Sequence, residues 1–338
     1  MRAWVVDGAF GLDRLTQVGR PDVEPGPGEV RLRVRAVSLN YRDVLMVRGL
    51  YDPRQALPLV PCSDASGVID AVGEGVTGLT VGARVCPIFA QDWLSGDAER
   101  SMLRSTLGGP RDGTLRQSMV VPANAVVRVP DHLTDEEAAT LPCAGVTAWR
   151  ALVTMGGLKA GDTVLTQGTG GVSCFVTQIG AMFGARVIVT SSSDAKLERV
   201  RALGAAHGIN YKTEPQWGKA ATAWTGGRGV DHVIELGGAG TLDETLRAVR
   251  VGGTVTLLGI LAGAKVELNL TRVFMNAVRV QGLMVGHRAD FEALLRALDA
   301  NHDVRPVVDK VFDFDDAPAA FAHLAAAGHV GKVVVRLP

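Results

Sequence analysis

Two hydrophobic rhythms divide the chain. Up to about residue 125, apolar residues alternate with polar ones or run in short blocks: RAWVV, EVRLRVRAVSL, SGVIDAVG, TVGARVCPI and SMVVPANAVVRVP. PGPGE, Gly73, Gly75 and Gly78 punctuate these blocks. Short strands at regular spacing with Gly/Pro turns predict a β-rich unit, a small and partly open barrel. From Ala90 to Gln117 the rhythm lapses into a polar, Gly-containing insertion, expected as a surface loop or lobe. Thr134 stands three residues before Glu137, a capping-box pattern that predicts a helix start. From about Gly161 strand-like runs alternate with helical spacing, which predicts a parallel sheet. HVIEL, GTVTLLGI and VRVQGLMV read as strands and Leu242 to Val249 as a helix. After Gly286, FEALLRALDA and AAFAHLAAAG read as amphipathic helices, and KVVVRL as a strand returning to the first unit. The predicted division is a discontinuous β-rich domain, 1–125 with 286–338, around a second domain, 126–285.

The stretch from Asp162 to Leu197 carries the most chemistry. An apolar run with Val164 and Leu165 enters Gly168, then come Thr169, Gly170, Gly171, Val172 and Ser173, then a helical pattern and a second strand, Arg186 to Thr190. This fits G-x-G-x-x-G, with Ser173 at the third glycine. Gly168 permits the tight turn, and Gly170 leaves the backbone open to a pyrophosphate. The helix N-terminus adds unpaired N–H groups and the positive end of its dipole. The ribose position, about 20 residues beyond the first glycine, falls at or near Ser191. An acidic residue there would bind the ribose hydroxyls of NAD and repel a 2′-phosphate. Ser191, Ser192 and Ser193 instead offer hydroxyl donors, with Lys196 close by, so NADPH is the expected cofactor. The same residues also suit a plain helix cap, with Ser193 or Asp194 as N-cap.

Composition narrows the rest. The 338 residues suffice for two domains with full cores. Thirty-five basic residues balance thirty-five acidic ones, which predicts neither a nucleic-acid footprint nor an anionic-membrane surface. No apolar run reaches membrane-spanning length and the start lacks a signal-peptide pattern, so the expectation is cytoplasmic. Cys62, Cys86, Cys143 and Cys174 are scattered without C-x-x-C pairs, which argues against disulfides and a four-thiolate zinc site. The seven histidines show no ligand spacing.

Several motifs in order, SLNYRDVLMVRGLY, VPCSDASGVIDAVGEGVTGLTVGARV, AATLPCAGVTAWRAL, GTGGVS and HVGKVVV, resemble the medium-chain dehydrogenase/reductase superfamily over nearly the whole length. The resemblance implies an α/β fold: a doubly wound parallel Rossmann-type sheet plus a β-rich GroES-like barrel domain. Zinc-dependent members of that superfamily place Cys, His and Cys where this chain has Asn40, Ser63 and Cys143, with Asp64 at the following glutamate. Only Cys143 is of ligand type, so no metal site is expected, and the resemblance is to the zinc-independent quinone oxidoreductase and enone reductase-like branch. A similarity to that branch implies a small carbonyl or quinone substrate and a homodimer.

Without a metal, hydrogen bonds must hold the charge that develops on a reduced substrate's oxygen. Asn40 is the first candidate donor, or else a turn-stabilising side chain. Tyr51, eleven positions on, matches the acid of similar enoyl-thioester reductases, or else packs as a loop tyrosine. Leu45 stands where similar quinone reductases often carry a pocket tyrosine, which makes the pocket more apolar and tells against the quinone assignment. By resemblance Thr147 lies beside the nicotinamide. Gly237, Gly238, Gly259 and Ile260 follow strand ends, where open parallel sheets bind ligands, or are plain turn residues. Arg288 reads as a solvated arginine, or else as one that reaches the cofactor or the substrate. Two other functions stay open: a zinc-type alcohol dehydrogenase, and an NADPH-binding structural or regulatory protein without turnover.

Overall fold

A computed structural model describes residues 1–338, in two compact units: Met1–Val146 with Gly286–Pro338, and Thr147–Val285. In the first unit, β1 (Arg2–Val6) and β2 (Leu15–Gly19) form an antiparallel ribbon. The long β3 (Glu29–Leu39) follows, then α1 (Tyr41–Val47), β4 (Asp64–Val72), β5 (Arg84–Pro87), β6 (Ser118–Pro122), β7 (Val126–Arg128) and the short α2 (Asp135–Ala138). β3 shows why its sequence folds this way. Val30, Leu32 and Val34 are buried while Arg33 and Arg35 face out, the period-two pattern of a half-buried strand. From Ala36 to Leu39 every residue is buried. The strand therefore runs from the surface inward and delivers Asn40 to the interior.

The first unit runs to Val146 rather than to about residue 125. β7 pairs with β5, and α2 packs on β3 and β4, so this stretch belongs to the barrel core. Thr134 caps α2 by the reciprocal bonds of a capping box with Glu137. Only Arg84–Pro87 of TVGARVCPI is strand, and SMVVPANAVVRVP breaks into β6 and β7 around a turn at Ala123–Ala125.

The insertion from Ala90 to Gln117 differs from the expected surface lobe. Residues 95–100 are exposed, but 105–109 and 113–115 are buried. Backbone bonds stitch the buried parts to the barrel: Trp4 N to Leu115 O (3.0 Å), Gly113 N to Val60 O (2.7 Å) and Thr114 N to Cys62 O (3.0 Å). Its polar composition misleads because these backbone groups, not side-chain periodicity, hold it inside.

The helical run through α3 (Val146–Trp149) leads into the second unit. There β8 (Thr163–Gln167), β9 (Arg186–Ser191), β10 (Ala205–Asn210), β11 (Val230–Glu235), β12 (Val249–Leu257) and β13 (Arg279–Gly282) form one parallel sheet in the order β10-β9-β8-β11-β12-β13. Its helices are α4 (Gly171–Met182), α5 (Asp194–Arg201), α6 (Trp217–Trp224), α7 (Leu242–Ala248) and α8 (Leu270–Phe274). Strand order reverses at β8 and β11, so the carboxyl ends of these strands flank the crevice where doubly wound sheets bind ligands. β10 escaped the sequence reading because AAHGIN is small and polar; it is an edge strand with little to bury.

The chain then rejoins the first unit through α9 (Arg288–Asp299), β14 (Val308–Asp313), α10 (Ala317–Ala325) and β15 (Lys332–Arg336). β15 pairs antiparallel with β3, Val333 opposite Leu39 and Val334 opposite Ser38. No helix is long and apolar enough to cross a membrane.

One glycine fixes how closely α4 lies on its sheet. A Cβ at Gly180 would sit 2.5 Å from Val187 Cγ2 on β9. Gly180→Val would gain about 0.4 kcal/mol in helix propensity but should lose about 1–3 kcal/mol to overpacking. A lowered thermal midpoint, with Gly180→Ala intermediate, is the expected result; an unchanged Gly180→Val midpoint would contradict it.

Candidate functional site

The second unit presents a dinucleotide cradle. Gly168 adopts φ 73°, a conformation that only glycine takes readily. Gly170 is the N-cap of α4, and a Cβ there would meet nothing within 4 Å, so the glycine keeps an open space. Gly171 and Val172 open the helix, whose first-turn N–H groups suit a phosphate. Ser173 is more than a tolerated substitute for glycine. It is buried, and its hydroxyl donates to Gln167 O at 2.7 Å, tying the helix start to β8. These residues fit a nicotinamide dinucleotide.

Ser191 ends β9 and is buried, with Ser192 and Ser193 partly exposed beyond it. Ser193 caps α5, its hydroxyl accepting from Lys196 N. The nearest carboxylate, Asp194, accepts a hydrogen bond from Asn210 Nδ2 at 2.9 Å. Parallel pairing sets Asn210 beside Ser191, so Tyr211 and Lys212 emerge next to the serine run. Both are exposed and both escaped the sequence reading, because they follow the unrecognised β10.

A buried carboxylate shapes the turn across the crevice. Glu235 ends β11. Its Oε1 accepts from Gly237 N (2.9 Å), Gly238 N (2.8 Å) and the Thr241 hydroxyl, and its Oε2 from Gln167 Nε2 (2.7 Å) and the Thr245 hydroxyl. Gln167 Oε1 in turn accepts from Leu236 N and Gly237 N. The staple joins the carboxyl ends of β8 and β11 at the strand-order reversal. Gly237 and Gly259 have reasons in the backbone: a Cβ on Gly259 would lie 2.3 Å from Leu236 O, and one on Gly237 2.2 Å from Thr241 Oγ1. Ile260 is exposed beside them, and Thr147 is buried in the helical run.

The first unit gathers a second polar cluster around Asn40, which is 9% exposed and caps α1. Its backbone N–H donates to Asp43 Oδ2 (2.8 Å) and its Nδ2 to Ser63 Oγ (3.3 Å). Ser63 donates to Asp64 Oδ1 (2.7 Å), and Asp64 Oδ2 accepts from Cys143 N (3.1 Å). Lys332, 4% exposed, donates from Nζ to Asn40 Oδ1 and to Leu39 O (2.7 Å). Burial pushes the Asp64 carboxyl up, against the pull of Lys332 and its hydrogen bonds. Burial also pushes the Asp43 carboxyl up to about 6, opposed by the charge of Arg42. The sequence reading quoted Lys332 and Asp43 only inside HVGKVVV and SLNYRDVLMVRGLY and gave neither a role, since their partners are fixed by the fold.

Asn40 and Tyr51 are not in one hydrogen-bond network. Tyr51 lies beyond the far end of α1, half-exposed, its ring 5.0 Å from the Arg42 guanidinium carbon. That guanidinium also covers Phe89 and donates to Leu107 O and Gly109 O, anchoring the buried insertion to α1. Arg288 is not simply solvated: it pairs with Glu292 (2.9 Å) and donates to Asn124 O (3.2 Å).

The donor set around Asn40 does not fit a zinc ion. Asn40 Oδ1 already faces an ammonium, Ser63 is committed to Asp64, and burial together with the Asp64 charge pushes the Cys143 thiol far up, away from thiolate. A second grouping, His132, Asp299 and His302, has ligand atoms within 4.8 Å of one another. Its imidazoles stack at 4.3 Å and 29°, which sends their in-plane lone pairs along side-by-side lines rather than to one point.

Asp43 predicts a pH dependence. Its carboxyl titrates near 3.8 when unfolded and at about 6 when folded. Between those values the folded state holds the extra proton, so its contribution to stability is lost as pH rises, by up to about 3 kcal/mol, and is level above about pH 6. Asp43→Asn removes this term while keeping an acceptor for Asn40 N–H. Its denaturation midpoint should therefore rise relative to the unmodified protein from pH 4 to pH 7; a difference that does not change with pH would contradict the assignment.

Comparison with known proteins agrees with both units. Residues 26–131 match the alcohol dehydrogenase GroES-like domain, and residues 171–300 the zinc-binding dehydrogenase family. A zinc-type alcohol dehydrogenase-like protein of Schizosaccharomyces pombe is 42% identical over 92% of this chain and 91% of its own. An acryloyl-coenzyme A reductase of Metallosphaera sedula is 30% identical over 99% of each. Among solved structures, a putative alcohol dehydrogenase from Sinorhizobium meliloti aligns with TM-score 0.92 and 42% identity, over 99% of this chain and 98% of that one. A mycobacterial protein complexed with NADPH aligns with TM-score 0.83 and 28% identity over 99% of each. Similarity of this degree along the whole length decides the family: this chain belongs to the medium-chain dehydrogenase/reductase superfamily of oxidoreductases, among its quinone oxidoreductase and enone reductase-like members.

Proposed function

We propose that the protein is an NADPH-dependent, metal-free reductase of activated C=C bonds, with quinones as the second substrate class. The observation that carries the reading is the polar cluster at Asn40: where zinc-type relatives would place metal ligands, an amide stands with its carbonyl anchored on Lys332 and its NH₂ turned toward Ser63. Bound NADPH would supply a hydride to the β-carbon of the substrate. As the C=C electron pair moves toward the carbonyl, Asn40 donates an N–H to the oxygen that becomes an enolate. Tyr51 then gives its phenolic proton to the α-carbon and regains one from water. The alkene gains a hydride at the β-carbon and a proton at the α-carbon, and the dinucleotide is oxidised by two electrons.

The choice of NADPH rests on the end of β9. Ser191, Ser192 and Ser193, with Lys196 and Lys212 near them, offer donors and positive charge where an NAD site would carry a carboxylate. The NADPH complex of the mycobacterial relative and the name of the acryloyl-coenzyme A reductase support both parts of this reading.

The test is turnover of methyl vinyl ketone, crotonyl-coenzyme A and 1,4-benzoquinone with NADPH and with NADH, alongside metal analysis of the purified protein. NADPH-driven reduction without stoichiometric zinc is expected. An NADH preference, one zinc per chain with alcohol oxidation, or tight NADPH binding without turnover would each overturn the reading.

Two variants sharpen it. Ser191→Asp should raise the KM for NADPH at least about tenfold by charge repulsion, while NADH is less affected. Tyr51→Phe should slow enone reduction by about 100-fold and spare quinone reduction, whose product oxygens take protons from water. Unchanged enone rates would remove Tyr51 from the mechanism.

A further inference from the structure

We propose that Lys332 is a positioning residue for the reaction: its buried ammonium holds the Asn40 amide in one orientation and polarises it, so that an N–H and not the carbonyl meets the substrate oxygen. The proposal rests on the reading of Asn40 as the oxygen-binding group.

A side-chain amide is nearly symmetric in shape but opposite in polarity at its two ends. Rotated by half a turn, Asn40 would present a lone pair to an oxygen that is gaining negative charge. Its neighbours forbid that rotation. An ammonium has three donors and no acceptor, so only Oδ1 can face Lys332 Nζ. On the other side, Ser63 spends its hydroxyl proton on Asp64 at 2.7 Å and is left as an acceptor, so it selects Nδ2. The bonds run in one direction, Lys332 to Asn40 to Ser63 to Asp64, from the buried cation to the buried carboxylate. This fixes Oδ1 on the ammonium and leaves Nδ2 against the acceptors Ser63 and Asp64, so a substrate oxygen meets an N–H by taking the place of one of those acceptors.

The lysine is itself held by the fold. Val333 pairs with Leu39 and Val334 with Ser38, so one step back from Val333 and one step on from Leu39 set Lys332 opposite Asn40. Nζ is fixed a second time by Leu39 O at 2.7 Å. A cation bonded to the carbonyl also withdraws electron density from the amide nitrogen, which strengthens each N–H as a donor. Lys332 need not touch the substrate; it acts through Asn40.

The experiment compares Asn40→Ala, Lys332→Met, Lys332→Arg and the double variant Asn40→Ala/Lys332→Met, with kcat and KM for methyl vinyl ketone and NADPH. Asn40→Ala should lower kcat by about 100-fold, as loss of one oxyanion donor does. Lys332→Met should lower kcat by at least about tenfold with little change in the KM for NADPH, and Lys332→Arg should recover part of the loss. The double variant should be no slower than Asn40→Ala alone, because a residue acting only through Asn40 has nothing left to position. Lys332→Met at full rate, or losses that multiply in the double variant, would overturn the proposal. Lys332→Arg keeps the buried charge and decides the matter if Lys332→Met does not fold.

A readout without turnover separates this proposal from the function it rests on. In protein with ¹⁵N-labelled asparagine, the Asn40 side-chain amide signal is identified by its loss in Asn40→Ala. It should shift markedly in Lys332→Met and little in Lys332→Arg. If no enone or quinone is reduced, the proposed function fails. An Asn40 amide signal that ignores Lys332→Met would sink the inference about Lys332, whatever the substrate.

Discussion

The antiparallel pairing of the last strand with β3 is the constraint on which the candidate chemistry depends. It joins residues almost three hundred positions apart, ties β14 and β15 into the first unit's sheet, and sets Lys332 across from Asn40. Neither partner strand is unusual in composition. VVV in β15 and the buried end of β3 are ordinary strand interior. Register makes the difference: Val333 and Val335 pack into one apolar cluster and Val334 into another, so a one-residue slip would exchange them and turn Lys332 to the opposite face. Three buried valines thus specify the position of one buried ammonium.

That ammonium would be costly alone. An unpaired ion in a protein interior carries a penalty of several kcal/mol. Here Lys332 lies among Asp64, Asp43 and Arg42, and each is hydrogen-bonded within the cluster or to nearby backbone. Burial still shows in the carboxyls, both displaced upward, Asp43 to about 6. The cluster is therefore held in place by tightly matched partners in the first unit, as the Glu235 staple is in the second, where one carboxylate takes two glycine N–H groups and three side-chain donors. In both units a buried carboxylate organises a segment that follows a strand end.

What the sequence disclosed follows from how local each signal is. The glycine turn, the helix after it and the parallel alternation are local, and the sheet order β10-β9-β8-β11-β12-β13 agrees with them. The Thr134 capping box is local as well, and is present. Edge strand β10 buries little, so it has no hydrophobic rhythm to read. The buried half of the insertion is secured by backbone bonds, which leave no trace in residue type. Asn40 was legible because its motif places it at a ligand position of zinc-dependent relatives, whereas Lys332, although inside HVGKVVV, and Glu235 acquire meaning only through partners far away in the chain. Gly180 looked like any helix glycine until β9 lay against it.

The strength of the field at Asn40 bears on which reaction it can serve. On the proposed reading, an ammonium ~6 Å from the substrate oxygen would contribute about 3 kcal/mol at an effective dielectric constant near 20, and ionised Asp64 would reduce that. Such a term is comparable to one good oxyanion-hole donor. It is far below what alcohol oxidation needs. Bringing a hydroxyl from a pKa near 16 to near 7, as a metal ion does for bound water, corresponds to about 12 kcal/mol. An enolate or hydroquinone anion is delocalised and far more stable than an alkoxide, so a relayed cation and an amide N–H can meet its requirement. On the proposed reading, such a cluster suits conjugated acceptors better than simple alcohols, although several relatives carry alcohol dehydrogenase names.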